Sequence, residues 1–127
     1  MLRPASERGS ATLEIAVLAP VLLLAVFTII QVGLWSYARS LALGAAQEGV
    51  AAGRAYRAPA QAGQARAEQF LASAAGDSLL STRVSTLASA TELSVEVTGR
   101  AQSVLPGVPG LPVRQRAQGP IERYTSP

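Results

Sequence analysis

Apolar positions along this chain follow three successive patterns. The first is unbroken. Between Glu14 and Arg39 run twenty-four residues without a formal charge, IAVLAPVLLLAVFTIIQVGLWSYA. At about 1.5 Å per residue, a helix of this length measures roughly 36 Å, enough to cross a hydrocarbon core of about 30 Å with some tilt. The remaining chain is too small and too rich in Ala to bury such a helix on every side. Gln31 is its one strongly polar side chain before Ser36. Trp35 and Tyr37 stand at the far end, where amphipathic rings favour the headgroup boundary, and Arg39 follows. The run exceeds the 7–15 apolar residues of a cleaved secretory signal, although Ala42-Leu43-Gly44 has small residues at cleavable spacing. A membrane span is expected.

The second pattern is helical. From Ser40 to about Tyr56 the Ala-rich run SLALGAAQEGVAAGRAY lacks Pro and continues the span into water. Leu41, Ala45, Ala52 and Tyr56 fall on one stripe, broadened by Leu43, Ala46 and Val50. Gly44, Gly49 and Gly53 weaken this helix but permit close approach of a second one. A frayed, exposed helix fits the same residues. After Pro59, residues 60–75 form another helix with Ala67, Phe70, Leu71 and Ala74 to one side, stopped at Gly76-Asp77.

The third pattern has period two. Thr82 to Leu87 reads as a short strand. In Glu92 to Thr98, Leu93, Val95 and Val97 face one way and Ser94, Glu96 and Thr98 the other. Joined by Ala88 to Thr91, the two make an antiparallel hairpin. Leu105 to Pro112, LPGVPGLP, is an extended loop, because its prolines remove ladder donors. Val113 to about Ile121 supplies a third, edge strand. The fold class is therefore α+β: a long N-terminal transmembrane helix continuing outside the membrane, a second short helix, then a small antiparallel sheet of two or three strands. A core this thin, with no disulfide, needs its membrane helix or a partner for stability.

Composition then narrows function. There is no Cys, no His and no Lys among 127 residues. Thiol, imidazole and Schiff-base chemistry, P-loop lysines and zinc sites are excluded, and no cofactor is implied. Paired carboxylates at catalytic spacing are missing; Glu92 and Glu96 share a polar strand face as ordinary solubilising charges. No catalytic residue is expected and the chain is not an enzyme. The net charge of +3 comes from scattered Arg without interleaved aromatics, so neither nucleic acid nor a small-molecule substrate is indicated. Arg114, Arg116 and Arg123 read as solvated surface before they read as contacts to an acidic partner.

The segment ahead of the span, Arg8-Gly9-Ser10-Ala11-Thr12-Leu13-Glu14, carries the candidate chemistry. A carboxylate at the lip of a membrane helix is costly if it meets lipid. Glu14 can simply lie among headgroups and favour the helix N-terminus. Alternatively, Gly9 offers a peptidase open backbone directly before a helical run. Cleavage between Gly9 and Ser10 would leave the new amine of Ser10 one helical turn from Glu14, and Glu14 of one subunit could pair with the amine of a neighbour. Orientation is not set by charge, since Arg3 and Arg8 on one flank nearly balance Arg39, Arg54 and Arg57 on the other. The short N-terminal arm, having nothing to fold, favours N-terminus inside and C-terminal region outside.

The run ERGSATLEIAVLAPVLLLAVFTIIQVGLWSYARSLALGAAQEGVAAGRA resembles the TadE-like pseudopilins of Tad (Flp-type) pilus and secretion systems. It shares their short charged leader, Gly before a small residue, Glu five places into the mature chain and an early Pro in the span, here Pro20. The following Tyr-Ala-Arg and Ala-Ala-Gln-Glu-Gly also match, with Gln47 where the family usually has Arg. The resemblance is dense over residues 7–57; beyond them the tail VTGRAQSVLPGVPGLPVRQRAQGPIERY resembles those of actinobacterial members. It implies cleavage after Gly9 by a membrane prepilin peptidase, and a minor pilin-like role in which Glu14 serves assembly. The implied partners are membrane lipid, prepilin peptidase and other pilin-like or pilus assembly subunits. The chain then divides into a leader (1–9), a transmembrane helix (10–38), an extracytoplasmic helical region (39–80) and a small β-rich region with a Pro/Gly loop (81–127), in a single-pass protein of the cytoplasmic membrane. The competing reading is a membrane-anchored binding or accessory module unrelated to pili.

Overall fold

The computed structural model describes residues 5–55 and 58–121, with backbone alone at residues 5–8. Two helices and three strands follow in order: α1 (Ala5–Gly53), α2 (Ala60–Ala74), β1 (Leu79–Ala88), β2 (Glu92–Ala101) and β3 (Pro112–Pro120), with a short 3-10 turn at Gly76–Ser78. The fold is α+β, as the period change along the chain predicts.

Helix α1 is one element of 49 residues, roughly 73 Å long. Its first half touches little else in the molecule. Leu13, Ile15, Val17, Leu18, Val21 to Leu24, Val26, Ile29 and Ile30 are all exposed, pointing in every direction around the axis. This is one helix long and apolar enough to cross a membrane. Within it Thr28 donates its hydroxyl to the Leu24 carbonyl at 2.7 Å, so that polar group needs no partner from outside. Pro20 lies inside the helix and leaves the Ala16 carbonyl without its usual backbone donor.

The second half of α1 belongs to a folded head. Ala38, Leu41, Ala42, Ala45, Ala46 and Val50 are buried together with Ala67, Leu71 and Ala75 around α2, Leu79 from β1, Leu93, Val95, Val97 and Ala101 from β2, and Val113 from β3. The helices form one layer and the sheet, ordered β1-β2-β3 and antiparallel throughout, forms the other. Leu93, Val95 and Val97 are the largest fully buried side chains. Each contributes about 1.5–3 kcal/mol by leaving water, so the period-two face of β2 is the core's centre.

Several details depart from the sequence expectation. The packed stripe of α1 keeps the expected Leu41, Ala45, Ala46 and Val50 but has different edges: Leu43 is exposed and Ala52 half-buried, while Ala42, Gly49 and Gly53 are buried. Tyr56 lies outside the described residues. In α2, Ala74 is exposed and Ala75 takes its place in the core. Strand β1 starts at Leu79, ahead of Thr82, because a register shift between Leu80 and Arg83 resets the alternation. Ser81 sits at that bulge with φ +53, the left-handed region that non-glycine residues rarely adopt.

The sheet stands alongside α1. Leu93 at the start of β2 meets Gly53, and Val95 meets Gly49. One residue past the end of β2, Gln102 is bonded to Gln31. The 22 residues from Gln31 to Gly53 cover about 33 Å of helix, and the nine from Leu93 to Gln102 cover about 30 Å of strand. β2 and the outer half of α1 therefore run side by side, with the Pro/Gly loop between β2 and β3 at the foot of the sheet.

Candidate functional site

The residues singled out by sequence lie on the bare end of α1. Gly9, Ser10 and Glu14 are all exposed and all helical. Ser10 and Glu14 are one turn apart and share a face with Leu13, Val17 and Leu18. Among the described residues Glu14 makes no ion pair, and its side chain is exposed. The Gly9–Ser10 bond is inside the helix and not in extended backbone ahead of it, because α1 begins at Ala5. A side-chain carbon added at Gly9 would meet nothing within 4 Å. Residues 1–4 of the leader, Arg3 included, fall outside the described residues.

A second group of side chains escapes the sequence reading. Gln31 is buried to 9% exposure, in contrast to its exposed neighbours Ile30 and Val32. Its amide nitrogen donates to the Gln102 carbonyl at 3.0 Å, and its amide oxygen accepts the Val104 backbone N–H at 3.0 Å. One turn further, the Trp35 indole N–H donates to the Pro112 carbonyl at 3.3 Å. Arg39 lies over the same ring, 4.7 Å from its centroid. Trp35 thus clamps the loop and is not simply a ring at the headgroup level. The one available signal was the oddity of Gln31 in an apolar run.

Charged side chains of the head pair with one another. Arg66 of α2 reaches Glu48 of α1, with Nη2 at 3.2 Å from Oε2. Arg114 and Arg116 of β3 flank Glu96 of β2 at 3.7 and 3.5 Å. Glu96 is therefore a cross-strand ion-pair centre, while Glu92 stands apart from it. Arg123 lies outside the described residues. A hollow lies between α2 and β1, lined by Glu68, Leu71, Ala75, Leu79, Arg83 and Val84, and includes none of Gly9, Ser10 and Glu14.

A helix apolar enough for a membrane, with a carboxylate near its start and a small two-layer head at its far end, fits a single-pass architecture. Residues 9–51 match the family model described as TadE-like protein. The segment from Gly9 to Ala51 is thus similar to TadE-like proteins, the family the sequence resembles. No curated protein and no solved structure matches the chain.

Proposed function

We propose that this chain is a minor pilin-like component, a pseudopilin, of a Tad/Flp-type pilus assembly or secretion system, and that it does no chemistry of its own. The supporting observation is the TadE-like match, which opens at Gly9 and takes in the whole exposed half of α1. In this reading α1 spans the cytoplasmic membrane with the head outside, and a prepilin peptidase cuts after Gly9. The bond is helical, so the peptidase first unwinds the opening turn. Gly9 eases that step, because Gly is about 1 kcal/mol poorer than Ala in a helix. The freed amine of Ser10 then stands one turn from Glu14. In low dielectric, a carboxylate of one subunit against an amine of its neighbour is a directional contact between parallel spans.

Mass spectrometry of the N-terminus in the native host tests processing. A chain starting at Ser10 is expected, with Gly9→Val accumulating uncut. A mature protein beginning at Met1 or Leu2, or normal cutting of Gly9→Val, sinks the processing claim. Assembly is tested separately: Glu14→Ala is expected to lose co-purification with other pilus subunits while remaining in the membrane. If an unrelated span in place of residues 15–34 preserves function, the chain is an anchored accessory module instead.

A further inference from the structure

We propose that the loop between β2 and β3, residues 102–111, is embedded in the lipid headgroup and upper acyl region at the C-terminal end of the span. The partner is the bilayer itself. The inference rests on α1 crossing the membrane, and on no claim about pili.

Depth is the first argument. A hydrocarbon core of about 30 Å takes about 20 helical residues. Counted from Ile15, the first residue beyond Glu14, it ends near Leu34. Gln31 then lies three residues, about 4.5 Å, below the boundary, and it holds Gln102 and Val104 by two hydrogen bonds of 3.0 Å. The loop therefore cannot sit in bulk water while α1 spans.

Chemistry is the second. From Ala101 to Val113 there is no charged residue, and Arg100 and Arg114 bracket the segment. Val108 and Leu111 are exposed, at 50% and 46%, beside the exposed Pro106 and Pro109. Gathered in an uncharged segment at the depth of the bilayer boundary, these side chains are what a shallow wedge against acyl chains requires.

Backbone satisfaction is the third. Irregular backbone survives at membrane depth only where its polar groups are met inside the protein. Pro106, Pro109 and Pro112 bring no N–H to be met. The Leu105 N–H donates to Ser103 Oγ at 3.2 Å and the Val108 N–H to the Leu105 carbonyl at 3.2 Å. The Leu111 carbonyl accepts from the Ala101 N–H at 3.0 Å, the Gly110 carbonyl from Arg100 at 3.2 Å, and the Pro112 carbonyl from Trp35 at 3.3 Å. Gln31 adds the Gln102 carbonyl and the Val104 N–H. These bonds meet part of the loop's backbone from inside the protein, and the groups left over face the headgroup layer, where water and lipid polar groups can meet them.

The chain has no Cys, so single labels can be placed in the full-length protein. Val108→Cys, Leu87→Cys and Val21→Cys, all at exposed positions, are labelled with a polarity-sensitive fluorophore and reconstituted in phosphatidylcholine/phosphatidylglycerol vesicles. The Val108 label is expected to be quenched several-fold more than the Leu87 label by lipid carrying a shallow spin label, and several-fold less by aqueous iodide. The Val21 label should be quenched best by a deep spin label. If Val21 is quenched by lipid but Val108 is as open to iodide as Leu87, the apolar tip faces water and the proposal is overturned. If Val21 too escapes lipid quenching, the span itself fails, and the loop's placement with it. Circular dichroism of each labelled protein confirms that the comparison is between folded chains.

Discussion

Gly49 of α1 and Gly63 of α2 face each other so closely that a side-chain carbon on either would collide with the other's backbone. Added at Gly49, it would stand 2.8 Å from the Gly63 carbonyl oxygen; added at Gly63, 2.7 Å from the Gly49 carbonyl oxygen. The carbon added at Gly49 would also stand 3.2 Å from the Ala67 Cβ and 3.2 Å from a Val95 methyl. The two helices meet backbone to backbone, the kind of contact that small residues permit.

Gly49→Ala should therefore destabilise the head by about 1–3 kcal/mol, since backbone atoms and not a flexible side-chain tip would have to move. Gly33→Ala is the contrast. Nothing lies within 4 Å of its added carbon, and the helix gains up to about 1 kcal/mol of propensity. Thermal unfolding in detergent micelles, followed by circular dichroism, should show a lower midpoint for the first and an unchanged or higher one for the second.

Leu93→Ala removes the largest side chain from the middle of a core with few large ones. A loss of about 2–5 kcal/mol is expected, a large part of the total stability of so small a head. Leu87→Ala, on the exposed edge strand, should change stability by less than about 0.5 kcal/mol. Urea titration separates the two, and a small effect at Leu93 would mean that the sheet is not packed on α1.

Gln31→Leu keeps the helix apolar but leaves the Gln102 carbonyl and Val104 N–H without their partners. The expected signature is local: amide exchange at Val104 rises by ten-fold or more, while amides in β2 near Val95 keep their protection. Equal acceleration across the sheet would show that Gln31 supports the whole head and not the loop.

The ion pairs on the sheet are expected to matter little. Arg114 and Arg116 are largely exposed beside Glu96, so Glu96→Ala should cost about 0–1 kcal/mol, and less as salt is raised. An effect above about 2 kcal/mol in chemical denaturation would contradict that.

Sequence patterning reached the span and the sheet because both carry strong hydropathy signals. Ile15 to Ile30 has no polar face to misassign, and the Leu93/Val95/Val97 alternation fixes which side of β2 is inside. It failed where side chains are small. Leu41, Ala45, Ala46 and Val50 mark the buried stripe of α1 correctly, but Ala42, Gly49 and Gly53 carry almost no hydropathy signal, and only contact with α2 and the sheet shows that they belong to it while Leu43 does not. Leu79 was missed because the bulge at Ser81 interrupts the period it belongs to. At the candidate site, Gly9, Ser10 and Glu14 were legible as a local motif, though not that the Gly9–Ser10 bond is helical. Gln31 was legible as an oddity but not as a clamp, because its partners stand 71 and 73 residues away.

Helix α1 runs without interruption from Ala5 to Gly53, so the bare span and the inner layer of the head are a single shaft. There is no swivel between them. Each residue of an α-helix turns by about 100°, so inserting one residue between Ile15 and Ile30 would swing the whole sheet by that angle about the shaft while leaving the head's own fold intact. The head thus acts as a vane on its stem: whatever grips the lower helix also decides which compass direction the sheet faces. Under the proposed docking at Glu14, a partner there would aim a surface tens of ångströms away by orientation alone.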